Sequence, residues 1–174
     1  MSAAVAEPVA VGSPEYAAVL DFLYREARLL DGYDHREWLK VLHPDIEYRM
    51  PVRLTRMPKD GLGFVDEMEF FTENYSSLNT RVQRLQTEQA WAEQPGSRAR
   101  HFVSNTLVER LPDGDLRATS AFLVTRTRAD LPYDMFTGER IDTLRRDDGR
   151  LLLVGRLIHF DQTVLQAMNL SIFF

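Results

Sequence analysis

A chain of 174 residues with a formal net charge of −5, 44% hydrophobic and 27% charged residues, has the make-up of one folded domain and not of a disordered segment. It contains no cysteine, which excludes disulfides, thiolate-bound zinc, iron–sulfur ligation and thiol catalysis within this chain. The two signs of charge are mixed without a long basic run, which argues against nucleic acid, and no apolar stretch approaches the roughly 20 residues that span a membrane.

Met1–Gly12 holds Ala, Val and Glu7 but no Lys or Arg, so it lacks the basic start of a signal peptide and reads as a flexible arm (1–12) on a cytoplasmic protein. Ser13 and Pro14 suit the N-cap and first position of a helix. Tyr16, Val19, Leu20, Leu23, Ala27 and Leu30 then recur at helical spacing until Asp31-Gly32 stops it. Asp34, three residues before Glu37, is a carboxylate variant of the capping box; it opens a short helix that buries Trp38, Leu39 and Leu42 and breaks at His43-Pro44.

Ile46, Tyr48, Met50, Val52 and Leu54 alternate with polar residues and predict a strand; Pro51 cannot donate to a ladder, so the strand lies at an edge or carries a bulge. Met57–Gly63 reads as a loop. From Phe64 the spacing of Phe64, Met68, Phe71, Tyr75 and Leu78 predicts a second long helix, with Val82 and Leu85 continuing its period. The second half changes character: Ala99–Arg110, Leu116–Arg128, Tyr133–Arg145 and Arg150–Phe160 are strand-like runs, punctuated by turns at Pro112-Asp113-Gly114 and Asp147-Asp148-Gly149. Helices first and strands afterwards predict an α+β domain over 13–174, a curved, mostly antiparallel sheet with the helices on one face.

Little of the chemistry-bearing inventory converges. His35, His43, His101 and His159 are scattered and form no helical ligand pair, and Gly61-x-Gly63 opens no strand–helix phosphate unit. The carboxylate pairs Glu67/Glu69 and Asp147/Asp148 fall on expected surface positions. The residues therefore predict no catalytic, cofactor-binding or metal site. Two features exceed what a monomer needs. Arg49, Arg53 and Arg56 share one strand, and arginine favours interface ion pairs. The chain also closes on Leu170, Ile172, Phe173 and Phe174, and the adjacent Phe173 and Phe174 point to opposite sides of an extended segment, one for its own core and one for a second chain. With Trp38, these are the candidate subunit-interface residues.

Several segments together resemble a known family. Arg25-Glu26-Ala27-Arg28-Leu29-Leu30-Asp31, Trp38-Leu39, Ile46-Glu47-Tyr48 and Pro51-Val52-Arg53-Leu54-Thr55-Arg56 are similar to the opening of the small (β) subunit of aromatic-ring-hydroxylating dioxygenases. Ala90-Trp91-Ala92-Glu93, His101-Phe102-Val103-Ser104-Asn105 and Asp142-Thr143-Leu144-Arg145-Arg146 follow in the family's order. The ending Asp161-Gln162-Thr163-Val164-Leu165, then Asn169-Leu170-Ser171-Ile172-Phe173-Phe174, is the most specific part.

The resemblance implies a cystatin-like cone and a non-catalytic structural subunit of a terminal oxygenase that adds O2 to an aromatic hydrocarbon, giving a cis-dihydrodiol. It implies a large α partner, three α and three β chains, with the Rieske iron–sulfur cluster and mononuclear iron in α. Electrons come from NAD(P)H through reductase and ferredoxin. The absence of cysteine agrees with that division, since a Rieske centre needs two Cys and two His. The competing reading is a stand-alone isomerase or dehydratase of the same cone, for which Tyr24, Asp31, His43 and Tyr48 are the acid–base candidates.

Overall fold

The structure, a computed structural model, describes residues 5–54, 63–86, 97–128, 132–163 and 171–174. Its elements in chain order are β1 (Glu7–Pro8), α1 (Pro14–Asp31), α2 (His35–Leu39), β2 (Leu42–Arg53), β3 (Phe64–Glu73), α3 (Tyr75–Leu85), β4 (Arg98–Arg110), β5 (Leu116–Thr127), β6 (Asp134–Asp147) and β7 (Arg150–Phe160). The strands form one sheet in the order β1-β4-β5-β6-β7-β2-β3. Strands β4 to β7 are an antiparallel meander, and β2 joins β7 in parallel, with Leu42 opposite Leu153 and Tyr48 opposite Arg156. This is the expected α+β architecture.

Along β5 buried and half-buried residues alternate without a break from Leu116 to Thr127, so one face of the sheet meets the helices and the other does not. α1 starts where the sequence places it: the Ser13 hydroxyl accepts from the Tyr16 amide, and Val19, Phe22, Leu23 and Leu30 turn to the core. α2 is shorter than expected. Asp34 caps it by position only, its carboxylate making no capping bond, and Leu42 belongs to β2.

Two further readings are corrected. Phe64–Glu73 is a strand, not a helix. β3 is an edge strand whose pairing with β2 shifts at Met50, Pro51 and Val52, so Pro51 marks a bulge inside the sheet and not an edge. Apolar residues consequently lie on both faces of β3: Met68 and Phe70 are exposed while Phe71 is half-buried, and the mixture imitates a helical period. The true helix begins at Tyr75, where Asn74 and Ser77 form a reciprocal capping box. The flexible-arm reading also gives way within 1–12, because Glu7 and Pro8 pair with Arg110 and Glu109, and Val9 donates to Val108 at 2.8 Å. Pro8, lacking an N–H, is tolerated there because β1 is an outermost strand.

Candidate functional site

The inner face of the sheet holds charge and the end of the chain. Arg140 and Asp142 on β6 and Arg156 on β7 sit in the strand phase that faces the core, and Glu26 of α1 meets them from the helix side. Arg156 bridges both carboxylates in a forked arrangement: Nε donates to Asp142 at 2.6 Å and Nη2 to Glu26 at 2.7 Å. Trp38 Nε1 donates to Glu26 at 3.0 Å, which leaves the indole fully buried with its polar edge satisfied. Burial alone would push the Glu26 carboxyl up, but Arg156 and Arg140 outweigh it and hold it at about 2. Burial likewise opposes the charge of Arg156, yet Asp142 and Glu26 keep its guanidinium well above the ordinary value. Beside this network, Ser120 Oγ and two Arg140 nitrogens are buried without a hydrogen-bond partner, although Arg140 lies 3.2 Å from Asp142 and 3.7 Å from Glu26.

The end of the chain fills the remaining space. The Phe174 ring is ringed by Phe160, Phe136 and Phe122 at centroid distances of 4.9, 5.5 and 6.0 Å. Phe173 rests on Trp38 at 4.4 Å and against His35 at 5.4 Å, with the Arg81 guanidinium over its other side. The backbone is held as well. The Phe174 oxygen accepts from Arg156 at 2.6 Å and Tyr48 at 3.0 Å, the Phe173 oxygen accepts from His101 Nε2 at 2.9 Å, and the Ile172 oxygen accepts from Arg81 at 3.1 Å. His101 is oriented by Asp31, 2.7 Å from its Nδ1. A side pocket of about 250 Å³ remains, lined in part by Tyr33, His35, His101 and Phe173.

The predicted interface set divides accordingly. Trp38, Ile172, Phe173 and Phe174 are buried within the chain itself, so both tail rings face one core and neither offers a surface to a second chain. Residues 171–174 enter no strand, so the two rings diverge inside one core and do not alternate between two chains. Arg49 and Arg53 stay at the surface, paired with Glu69 and Asp161; Arg56 and Leu170 lie outside the described residues. The acid–base candidates are dispersed: Tyr24 is exposed, His43 is engaged by the Asp45 amide, and Tyr48 and Asp31 serve the tail and His101. Among the described residues no group of three His, Asp or Glu is placed to hold a metal.

What the sequence reading missed is the opposite face. Phe102, Leu123 and Thr137 align across β4, β5 and β6, and Leu107, Thr119, Ile141 and Leu157 form a second row from β4 to β7. Phe102, Leu107 and Met135 are more than half exposed. The signal was present in the strands, where apolar residues stand in both phases of the alternation.

Three comparisons bear on this geometry. The sequence matches the family described as ring hydroxylating beta subunit over residues 25–167. It is 36% identical over 174 residues (97% of this chain, 93% of the relative) to the benzene 1,2-dioxygenase subunit beta of Pseudomonas putida, with the same values for the chlorobenzene dioxygenase subunit beta of a Cupriavidus species. A solved chain of naphthalene 1,2-dioxygenase with indole bound in the active site shares the fold at a TM-score of 0.82 and 26% identity, covering 94% of this chain and 89% of that one.

Proposed function

The chain belongs to the ring hydroxylating beta subunit family, and we propose that it is the structural subunit of a terminal oxygenase that adds O2 to an aromatic hydrocarbon to give a cis-dihydrodiol. The observation that carries the structural role is the filled interior. The space in which a stand-alone cone enzyme would bind substrate is occupied by Phe173 and Phe174, and its polar groups are spent on the tail and on one another. Of the acid–base candidates for the isomerase or dehydratase alternative, Tyr48 is spent on the tail and Asp31 on His101, while Tyr24 is exposed, which speaks against that reading.

The redox groups belong in this reading to an α partner. With no cysteine, this chain cannot ligate a Rieske cluster, and its donor set does not fit the group. The mononuclear iron is placed in α too, with electrons from NAD(P)H through reductase and ferredoxin, and the complex in the cytoplasm. No helix among the described residues is long and apolar enough to cross a membrane. The uncovered face of β4–β7, with Phe102, Leu107 and Met135 exposed, and Arg49 and Arg53 on β2 beside the edge strand β3, support contact with neighbouring subunits in a complex of three α and three β chains.

Co-expression with a candidate α chain from the same host tests the proposal. The expected result is an equimolar complex of hexameric mass whose dihydrodiol formation is lost when this chain is omitted. A monomer in sedimentation analysis that ignores the α chain overturns it.

A further inference from the structure

The way residues 171–174 are held differs from the way the rest of the chain is held. They join no strand ladder, and their contacts run to side chains of the wall. Most of the polar side chains that grip them are anchored independently. Arg156 is fixed by Glu26 and Asp142, Arg81 by Glu73 at 2.6 Å, and His101 by Asp31, while Arg126, 3.5 Å from the Ser171 hydroxyl, is fixed by Asp134 at 2.6 Å. The aromatic wall is equally independent, because Phe122, Phe136 and Phe160 stand on β5, β6 and β7 and are placed by the ladders of those strands. A receptacle whose donors are oriented before the guest arrives is a preorganised binding site.

We propose that the interior of the cone is a binding site for a short apolar peptide segment bearing two adjacent aromatic side chains and a run of backbone acceptors, which the chain occupies in cis with residues 171–174 and can release and take up as a unit. Its specificity follows from the wall. One ring enters a cage of three phenyl groups, the other lies between an indole and a guanidinium, and three arginines and one histidine meet oxygens of four successive residues. A segment lacking either ring leaves a buried void, and one carrying cations meets Arg81, Arg126 and Arg156. The proposal goes beyond the subunit reading and does not depend on it, since tail docking is read on the isolated chain and assembly on the complex.

The test uses the full-length chain with Phe173→Lys and Phe174→Lys, so that the tail is repelled from its own site, and the acetylated tetrapeptide Ser-Ile-Phe-Phe as probe. The expected result is a saturable rise in melting temperature of about 4 °C at peptide concentrations roughly tenfold above Kd. The peptide with both phenylalanines replaced by alanine should produce no rise. A folded double variant that Ser-Ile-Phe-Phe does not stabilise overturns the proposal. Should the double variant not fold, hydrogen exchange on the unaltered chain decides. Amides of 172–174 exchanging at least tenfold faster than those of central β5 support release as a unit, and amides that exchange only in step with β5 overturn it.

Discussion

On the inner side of β6 and β7, Arg140, Asp142 and Arg156 lie beside Phe136, Leu144 and Phe160, all at no more than 2% exposure. One residue along in the same strands, Ile141 and Leu157 look outward onto a face that no described helix covers. Each face departs from the usual assignment at a few positions, with charges admitted among the apolar residues inside and apolar side chains among the polar ones outside. The inner charges are tolerable because each carboxylate is matched by a guanidinium at hydrogen-bond distance, so the cost of desolvation is offset within the network. The outer apolar residues have no such pairing among the described residues, and a contiguous apolar patch of this kind fits the subunit contact proposed above. A sheet of this kind is closed on one side and unfinished on the other.

If that contrast is right, the largest stability losses come from opening the inner network. Arg156→Met leaves Glu26 and Asp142 buried without their shared partner and should cost about 3–5 kcal/mol in urea denaturation of the isolated chain. A loss below 1 kcal/mol would mean that the carboxylates find other partners.

Acid attacks the same network. Glu26 is held at about 2 in the folded chain against its ordinary 4.5, so unfolding takes up a proton between about pH 4.5 and pH 2. Its contribution is therefore fully present above pH 4.5 and lost as the pH falls towards 2, on the order of 3 kcal/mol in all. Denaturation midpoints measured across this window should decline, and Glu26→Gln should flatten the decline while lowering stability at neutral pH.

A steric change tests the same face more gently. A Cβ at Gly138 collides with the carbonyl oxygen of His159 and crowds the Phe122 ring, so Gly138→Ala should cost about 1–3 kcal/mol, read as a lowered melting temperature. The smallest effect on stability belongs to the outer face. Phe102→Asp and Leu107→Asp replace exposed side chains and should each change the stability of the isolated chain by less than about 0.5 kcal/mol. Combined, they should nevertheless abolish co-purification with the α chain. A double variant that still assembles removes the subunit role of this face.

Much of this was written in the chain's periodicities. Ser13-Pro14 and Asp31-Gly32 bracket α1 within a residue, and the four long strands of the second half fall close to their observed limits, because each runs uninterrupted between strong turn signals. β3 was misread because bulges opposite Pro51 break its alternation, and a broken period of two can pass for one of 3.6. Asn74, three residues before Ser77, was the available sign that the helix starts at Tyr75. The inner network was legible in principle: Arg140 and Asp142 share the strand phase of Phe136 and Leu144, and charges in the apolar phase announce buried pairing. Which carboxylate answers from α1 was not legible, since Glu26 reaches Arg156 only through the tertiary packing of α1 on the sheet. The tail shows the same limit. Its need for burial was evident from composition, but whose core it enters is a matter of three-dimensional closure.

The parallel pairing of β2 with β7 also sets a timetable. β4 to β7 are neighbours in sequence and in space, so their hairpins can form as soon as they are synthesised. β2 is made early, yet the edge that receives it, with Leu153 opposite Leu42 and Arg156 opposite Tyr48, is made late. Until Arg150–Phe160 leaves the ribosome, Tyr48 and Met50 have no sheet to cover them on that side. The β7-facing edge of β2, already joined to β3 on its other side, thus waits for the second half of the chain to be made.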